Sequence, residues 1–395
     1  MITKFDSSYA GHVNMENVGY SGTAVNDRNF SDEHLASAFD NALAIAKVLD
    51  KSGYDTFWMA EHHFQPEGYE CIPNVLMLSL HLAHLTENIN FGCGFNITPM
   101  WNPLRLAEDY ATADILTKGR VIFGVGRGYH TREVETFGAP LLDQPANREL
   151  FEEQVEIILK AFNERSFSHK GPKYTIPPNV PYRGYDLKEI TLVPRPKNLP
   201  VECWQPISSG SQRGLDFMAS NGIKGLMSGG LGYGPAMDKA VEAFKEAQAR
   251  CGNETVLGEN LSISYQMSLA SSKDKAISQA AKYFEENLKM FAPLRLVRSL
   301  SDEQISAMGD PKLAPKSGLP TIEQAVASGG FLCGTPEMMI DHLKKLEDRY
   351  PGLERVSVSH PIGTPHDFIR DQLEWFAAEV MPAFRQSGST VTSHH

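Results

Sequence analysis

The chain has 395 residues, 42% of them apolar and 22% charged, and 48 acidic against 37 basic side chains leave a formal charge of −11. That balance excludes broad electrostatic binding to nucleic acid or anionic lipid, and the apolar share suffices for a large core. No run is as long as a membrane span, no charged-then-apolar leader opens the chain, and the five scattered cysteines form no C-x-x-C pair. These features predict a cytoplasmic protein with reduced thiols, and neither a disulfide framework nor a zinc cluster.

Helical and strand-like runs alternate along the chain. Ser31-Asp32-Glu33 reads as a helix start, and Leu35, Phe39, Ala42, Ile45, Ala46 and Leu49 recur at helical spacing up to Gly53. Thr56–Ala60 follows as a short apolar strand, then a helix over 74–85, a strand over 89–95, and a helix that starts near Pro103 and stops before Gly119. Strands are further predicted at 121–125, 202–208, 225–228, 261–269 and 355–359. Helices are predicted at 148–162, 236–250, 274–291, 336–348 and 366–384, with another opening near Leu215.

Seven strand-like runs separated by helices predict a parallel sheet covered on both faces. With one further strand near the N-terminus, whose position the pattern does not give, they close into a (β/α)8 TIM barrel. The chain is expected to be one domain over 1–395. A Pro- and Tyr-rich stretch at 166–200 reads as a surface excursion, and 292–330 as a loop or lid. An open doubly wound sheet ranks behind, because no glycine-rich turn falls near residues 10–30.

Barrel active sites lie at the C-terminal ends of strands, and four successive strand ends carry polar or glycine-rich groups. The second ends in Glu61-His62-His63-Phe64 and the third in Phe95-Asn96-Ile97-Thr98-Pro99. The fourth ends in Gly124-Val-Gly126-Arg127-Gly128-Tyr129-His130, and the fifth in Ser208-Ser209-Gly210-Ser211-Gln-Arg213-Gly214. A histidine there suits proton transfer, since its pKa lies near working pH; burial against backbone partners explains a histidine equally well. A metal would need more ligands than Glu61-His62-His63 offers. Arg127 is suited to a phosphate or developing anion, though a tight turn accounts for its glycines. Ser209, Gly210, Ser211 and Gly214 precede a helix, where free N–H groups invite phosphate; Ser211 could instead be an ordinary cap.

The motifs Ala60-Glu61-His62-His63-Phe64, Gly92-Cys-Gly-Phe95-Asn96-Ile-Thr-Pro99, Pro103-Leu-Arg105 with Glu108-Asp109, and Lys118-Gly-Arg120 through His130 to Glu133 and Phe137-Gly138, together with Gly334-Thr-Pro-Glu337, follow one another in a fixed order. In that order they resemble the bacterial luciferase-like flavin monooxygenases over roughly residues 33–385. The resemblance implies a (β/α)8 barrel that binds reduced FMN from a separate flavin reductase. Oxygen then adds at the flavin C4a position, and the peroxide oxygenates a small organic substrate. It implies His62 as the catalytic histidine and Glu61 as a supporting acid. Phe95 and Asn96 would lie against the isoalloxazine, where a non-proline cis peptide is common. Arg127 would bind phosphate, with Tyr129 and His130 at the flavin, and Ser209, Gly210, Ser211 and Gly214 would form the phosphate loop. The region 271–332 after strand 7 would be a lid that keeps the pocket dry, and a homodimer is expected by analogy.

One departure narrows the reading. Where the luciferases proper have a reactive cysteine before the arginine of the fourth strand, this chain has Gly126, which points to the non-luminescent branch. Alternatives are a deazaflavin (F420)-dependent oxidoreductase of the same superfamily, a non-catalytic flavin-binding subunit, and a metal-dependent barrel hydrolase.

Overall fold

The computed structural model describes residues 1–207, 210–227, 234–297 and 300–385. Eight parallel strands form the barrel: β1 (Lys4–Tyr9), β2 (Thr56–Met59), β3 (Asn90–Cys93), β4 (Val121–Gly126), β5 (Cys203–Ile207), β6 (Lys224–Met227), β7 (Leu261–Leu269) and β8 (Arg355–Ser359). Each pairs with the next, β4 meets β5, and β8 returns to β1, so the sheet closes. The TIM barrel expected from the alternating pattern is what forms. A ninth parallel strand, Phe331–Gly334, extends the sheet beside β7. None of the described helices is long and apolar enough to cross a membrane.

β1 is the strand whose position the apolar pattern does not give. Its sequence, Lys-Phe-Asp-Ser-Ser-Tyr, turns Phe5 and Tyr9 out toward the helices and Asp6 inward, where Arg355 and the Trp58 indole bond it. A polar interior breaks the apolar run that marks most parallel strands.

The outer layer comprises α1 (Asp32–Ser52), α2 (Val75–Ala83), α3 (Pro103–Leu116), α4 (Gln144–Asn163), α5 (Gln212–Ser220), α6 (Gly234–Arg250), α7 (Lys273–Phe291), α8 (Pro336–Arg349) and α9 (His366–Glu379). Local chemistry sets their ends. The Ser31 hydroxyl accepts from the His34 N–H at the start of α1, and Gly53 closes that helix at φ 76°, where a side chain would be strained. α4 begins at Gln144, earlier than its apolar periodicity suggests, because the Asp143 carboxylate caps it and Pro145 suits its first turn. The core between strands and helices is one large apolar cluster.

The two surplus stretches differ in build. Residues 166–200 hold two short antiparallel pairs, His169–Lys170 with Thr175–Ile176 and Pro181–Tyr182 with Tyr185–Asp186. Between α7 and α8 lie the short helices Asp302–Ala307 and Ile322–Ser328; Met308, just after the first, and Ile322 of the second share a second apolar cluster with α7.

The lower barrel interior is filled in an unusual way. Trp58 and Trp204 meet edge to face at 5.7 Å across it, and Arg355 lies over Trp204 while bonding Asp6 at 2.6 Å. These bulky groups floor the barrel, and the upper half is lined mainly by small residues.

Candidate active site

The chain leaving β2 carries His62 into a buried nest of carboxylates. Its Nδ1 lies 3.3 Å from both Glu133 oxygens; its Nε2 lies 3.0 Å from the Tyr129 hydroxyl and 3.2 Å from Glu70. The Tyr129 hydroxyl donates to Glu70 at 2.7 Å, so toward His62 it acts as an acceptor. Both ring nitrogens therefore face acceptors, two of them carboxylates, an arrangement that favours the protonated ring. Burial alone would lower the His62 pKa, but Glu70 and Glu133 outweigh it and hold the ring above the ordinary histidine value. Conversely, burial would raise Glu70 and Glu133, and the neighbouring His62 and His130 bring both below the usual carboxylate value.

A second layer completes the nest. His130 Nε2 sits 2.9 Å from Glu70, and the Gln65 amide donates to Glu70 at 2.9 Å and to Glu133 at 3.0 Å. Both carboxylates, His62, His130 and Gln65 are buried. Buried charges persist when paired and hydrogen-bonded on every side, as here.

Glu61 stands elsewhere. Its carboxylate accepts from the Ile97 N–H at 2.8 Å and the Trp101 indole at 2.8 Å, and pairs with His63 at 3.1 Å. Its hydrogen bonds thus reach the end of β3 and not His62. Phe95 and Asn96 form that end, behind a cis Gly94–Phe95 peptide. A Cβ on Gly124 would lie 2.0 Å from the Cys93 carbonyl, and one on Gly126 would lie 3.2 Å from the Phe95 Cβ. The glycines of β4 thus let this segment lie against the strand. The Asn96 amide donates to the Gly124 carbonyl at 2.9 Å, while its own Oδ1 is buried without a partner.

Across the mouth, Arg127 bonds Asn147 at 2.8 Å and the Gln144 carbonyl at 3.0 Å. Burial, then the nearby Arg148 guanidinium, lowers its pKa, with a smaller push from Arg213. Arg148 and Arg213 share Glu152, at 3.8 and 2.6 Å. Three guanidiniums thus gather at the start of α5. There Ser211 stands at the cap position with no side-chain cap bond, Gly210 faces open space, and Gly214 lies beside the Ser211 hydroxyl and Arg148. Ser209 lies outside the described residues.

The structure therefore brings His62, Tyr129 and His130 together, and sets Arg127, Gly210, Ser211 and Gly214 in a second group. The sequence reading assigned no role to Glu70, Gln65, Glu133 or Arg148. Glu133 stood within a quoted motif and Arg148 at a helix start, while Glu70 and Gln65 fall in an aperiodic loop with no spacing signal.

Residues 20–351 match the family model described as luciferase-like monooxygenase. The oxygenase component of flavin-dependent trigonelline monooxygenase from Acinetobacter baylyi is 24% identical over 359 residues, 88% of this chain and 91% of that protein. The F420-dependent glucose-6-phosphate dehydrogenase of Amycolatopsis mediterranei is 27% identical over 346 residues, 86% of this chain and 92% of that one. An uncharacterized protein of Sinorhizobium fredii is 34% identical over 145 residues, and the match spans only 40% of that relative. Among solved structures, the oxygenating constituent of 3,6-diketocamphane monooxygenase from Pseudomonas putida superposes with a TM-score of 0.68 at 18% identity, covering 97% of this chain and 98% of that one. The fold, the ordered motifs and the match over most of its length place this chain in the luciferase-like monooxygenase family.

Proposed function

We propose that this protein is a flavin-dependent monooxygenase that uses reduced FMN, supplied by a separate reductase, and O2 to oxygenate a small organic substrate. The observation that carries the reading is the arginine cluster. Arg127, Arg148 and Arg213 outnumber Glu152, the carboxylate held between two of them. That excess of positive charge, in front of the free N–H groups of α5, suits a doubly charged phosphate monoester such as that of FMN. The unpaired Asn96 Oδ1 beside the cis segment fits a ring N–H donor of a flat ligand.

Bound reduced FMN supplies the electrons that activate O2. The chain's own residues bind and orient it: Arg127, Arg148, Gly210 and Ser211 at the phosphate, Phe95 and Asn96 at the ring. His62 holds a proton between Glu70 and Glu133, and Tyr129 bridges its Nε2 to the pocket. That arrangement supports reading His62 as a proton donor, a role worth about 10²–10⁴-fold in rate. Glu61 serves as a positioning residue that fixes the Ile97 and Trp101 backbone and indole. A lid built from residues 271–332 and a homodimer belong to the same reading.

The second reading, hydride transfer with a deazaflavin, is favoured by the F420-dependent relative. Equilibrium binding separates the two. The anaerobic protein is expected to bind reduced FMN at least tenfold more tightly than reduced F420, and Arg148→Ala to weaken FMN about ten- to a hundredfold. Preferential F420 binding overturns the monooxygenase reading. If FMN binds as expected, His62→Gln should retain it while lowering oxygen-dependent product formation about a hundredfold or more.

A further inference from the structure

The barrel's upper interior has two unlike walls. Along β3 and β4 it is glycine, with the Phe95 segment folded over it. Along β7, β8 and β1 it is hydroxyl and amide.

The inward direction of these side chains follows from the register. Asp6 and Arg355 point into the barrel, because they bond each other and Arg355 lies over Trp204. Successive inward residues are two apart on a strand, so Ser8, Ser357 and Ser359 face inward as well. Ser262 pairs with Arg355, Ser264 with Ser357, and Gln266 with Ser359, and in a parallel sheet such partners share a face. Five serines and a glutamine thus line one arc. Barrel interiors are ordinarily packed with branched apolar side chains; here that layer is missing. Ser8, Ser264, Gln266 and Ser359 remain partly accessible; the Gln266 amide donates to the Asn287 Oδ1 at 3.3 Å and the Ser359 hydroxyl reaches the Tyr265 carbonyl at 3.5 Å, while Ser8 and Ser264 keep their hydroxyls uncommitted among the described residues. Deeper down, the Ser262 and Ser357 hydroxyls are fully buried and have no hydrogen-bond partner. Unpartnered buried hydroxyls are costly and rare, and two in one arc, beneath the partly accessible serines, mark a polar well.

We propose that this serine arc is the subsite for the organic substrate's polar end, and that it takes a compact, uncharged molecule bearing a carbonyl, amide or hydroxyl group. The assignment rests on the oxygenase reading only for the word substrate. A long alkyl chain would leave the hydroxyls unsatisfied. A carboxylate would find no free cation on this wall, since Arg355 is committed to Asp6, Asp55 and Thr56. The arc is also set apart from the arginine cluster, which lies beyond β5.

The test uses the flavin-free full chain, with tryptophan fluorescence as readout, because Trp58 and Trp204 floor the well. Nicotinamide is the compact uncharged probe, nicotinate its charged counterpart and decanal the alkyl one. Saturable quenching by nicotinamide is expected, at least tenfold tighter than by nicotinate or decanal. The Ser264→Ala/Ser359→Ala double variant should lose at least tenfold of that affinity, and Ser264→Thr, which keeps the hydroxyl, should retain it. Circular dichroism and the thermal midpoint verify that each variant folds. Absence of saturable nicotinamide binding, equal binding of decanal or nicotinate, or indifference to the double substitution overturns the proposal. Preferential F420 binding together with the expected nicotinamide result would overturn the oxygenase reading and leave the subsite standing.

Discussion

Two histidine clusters ring the barrel mouth; in one the His62 pKa is pushed up, and in the other His12, His360 and His366 are pushed down. At the ends of β2 and β4, His62 and His130 are set among Glu70 and Glu133. At the ends of β1 and β8, His12 and His366 are buried and His360 is half-buried, and no carboxylate is among their hydrogen-bond partners. His12 Nε2 lies 3.0 Å from the Thr364 carbonyl, and His366 touches Asn14, the Tyr9 hydroxyl and the His12 carbonyl. Burial pushes His12 down to about 4 and His360 and His366 to about 3, with the nearby His12 ring adding to the shift of the other two. The same side chain is thus pushed toward the charged form at His62, where two carboxylates face it, and toward the neutral form at His12, His360 and His366. Burial alone does not decide which.

The comparison breaks most sharply if a carboxylate is removed. Glu70→Leu turns an apolar group toward the His62 Nε2, the Tyr129 hydroxyl and the Gln65 amide while Glu133 still faces the His62 Nδ1, and should cost about 1–3 kcal/mol near pH 6, the penalty of leaving buried polar groups unsatisfied. Urea unfolding measures it, and Glu70→Gln, which keeps a hydrogen-bond acceptor, should cost less. A loss below about 1 kcal/mol for Glu70→Leu would mean that these groups do not rely on Glu70.

Titration sharpens the comparison next. The raised His62 contributes stability that is full below its unfolded pKa of about 6.5 and is lost as pH rises through the folded value. The depressed Glu70 and Glu133 contribute stability present above about 4.5 and lost as pH falls through theirs. The neutral histidines favour the folded state fully above about 6.5. That contribution falls as pH drops from there toward 4, by up to about 1.4 kcal/mol per pH unit for each ring. Imidazole NMR signals followed from pH 5.5 to 8.5 should show His62 protonated beyond the ordinary midpoint, and His12 and His366 neutral throughout. A His12 that titrates near 6.5 would erase the contrast.

Much of this architecture was readable from the chain, because covered parallel strands are apolar runs and helices carry their own caps. β1 was not, since Asp6 and Ser8 serve the interior and break the run. The site was legible as motifs but not as a network. Glu61, beside His62 in sequence, turns to Ile97 and Trp101, because neighbouring residues of an extended chain point to opposite sides. Glu70 and Gln65 reach His62 and His130 through a loop whose path no periodicity encodes. The serine arc was likewise invisible, as it arises only when β7, β8 and β1 are set in register.

The smallest effect isolates the neutral cluster. The His360 Nε2 is buried without a partner, and its ring meets Phe368 edge to face at 6.4 Å. An unsatisfied buried nitrogen costs about 1–3 kcal/mol, so His360→Phe removes that cost while keeping an aromatic ring against Phe368. Stability at pH 7 should hold or rise by about 1 kcal/mol. The acid limb should also become shallower by one proton, because the variant has no imidazole for the unfolded chain to protonate. Glu70→Leu should leave that part of the acid limb in place, since it does not touch His360. A loss above about 2 kcal/mol at pH 7 for His360→Phe would show that the imidazole itself is needed there, and the contrast between the clusters would then no longer rest on the absence of a carboxylate.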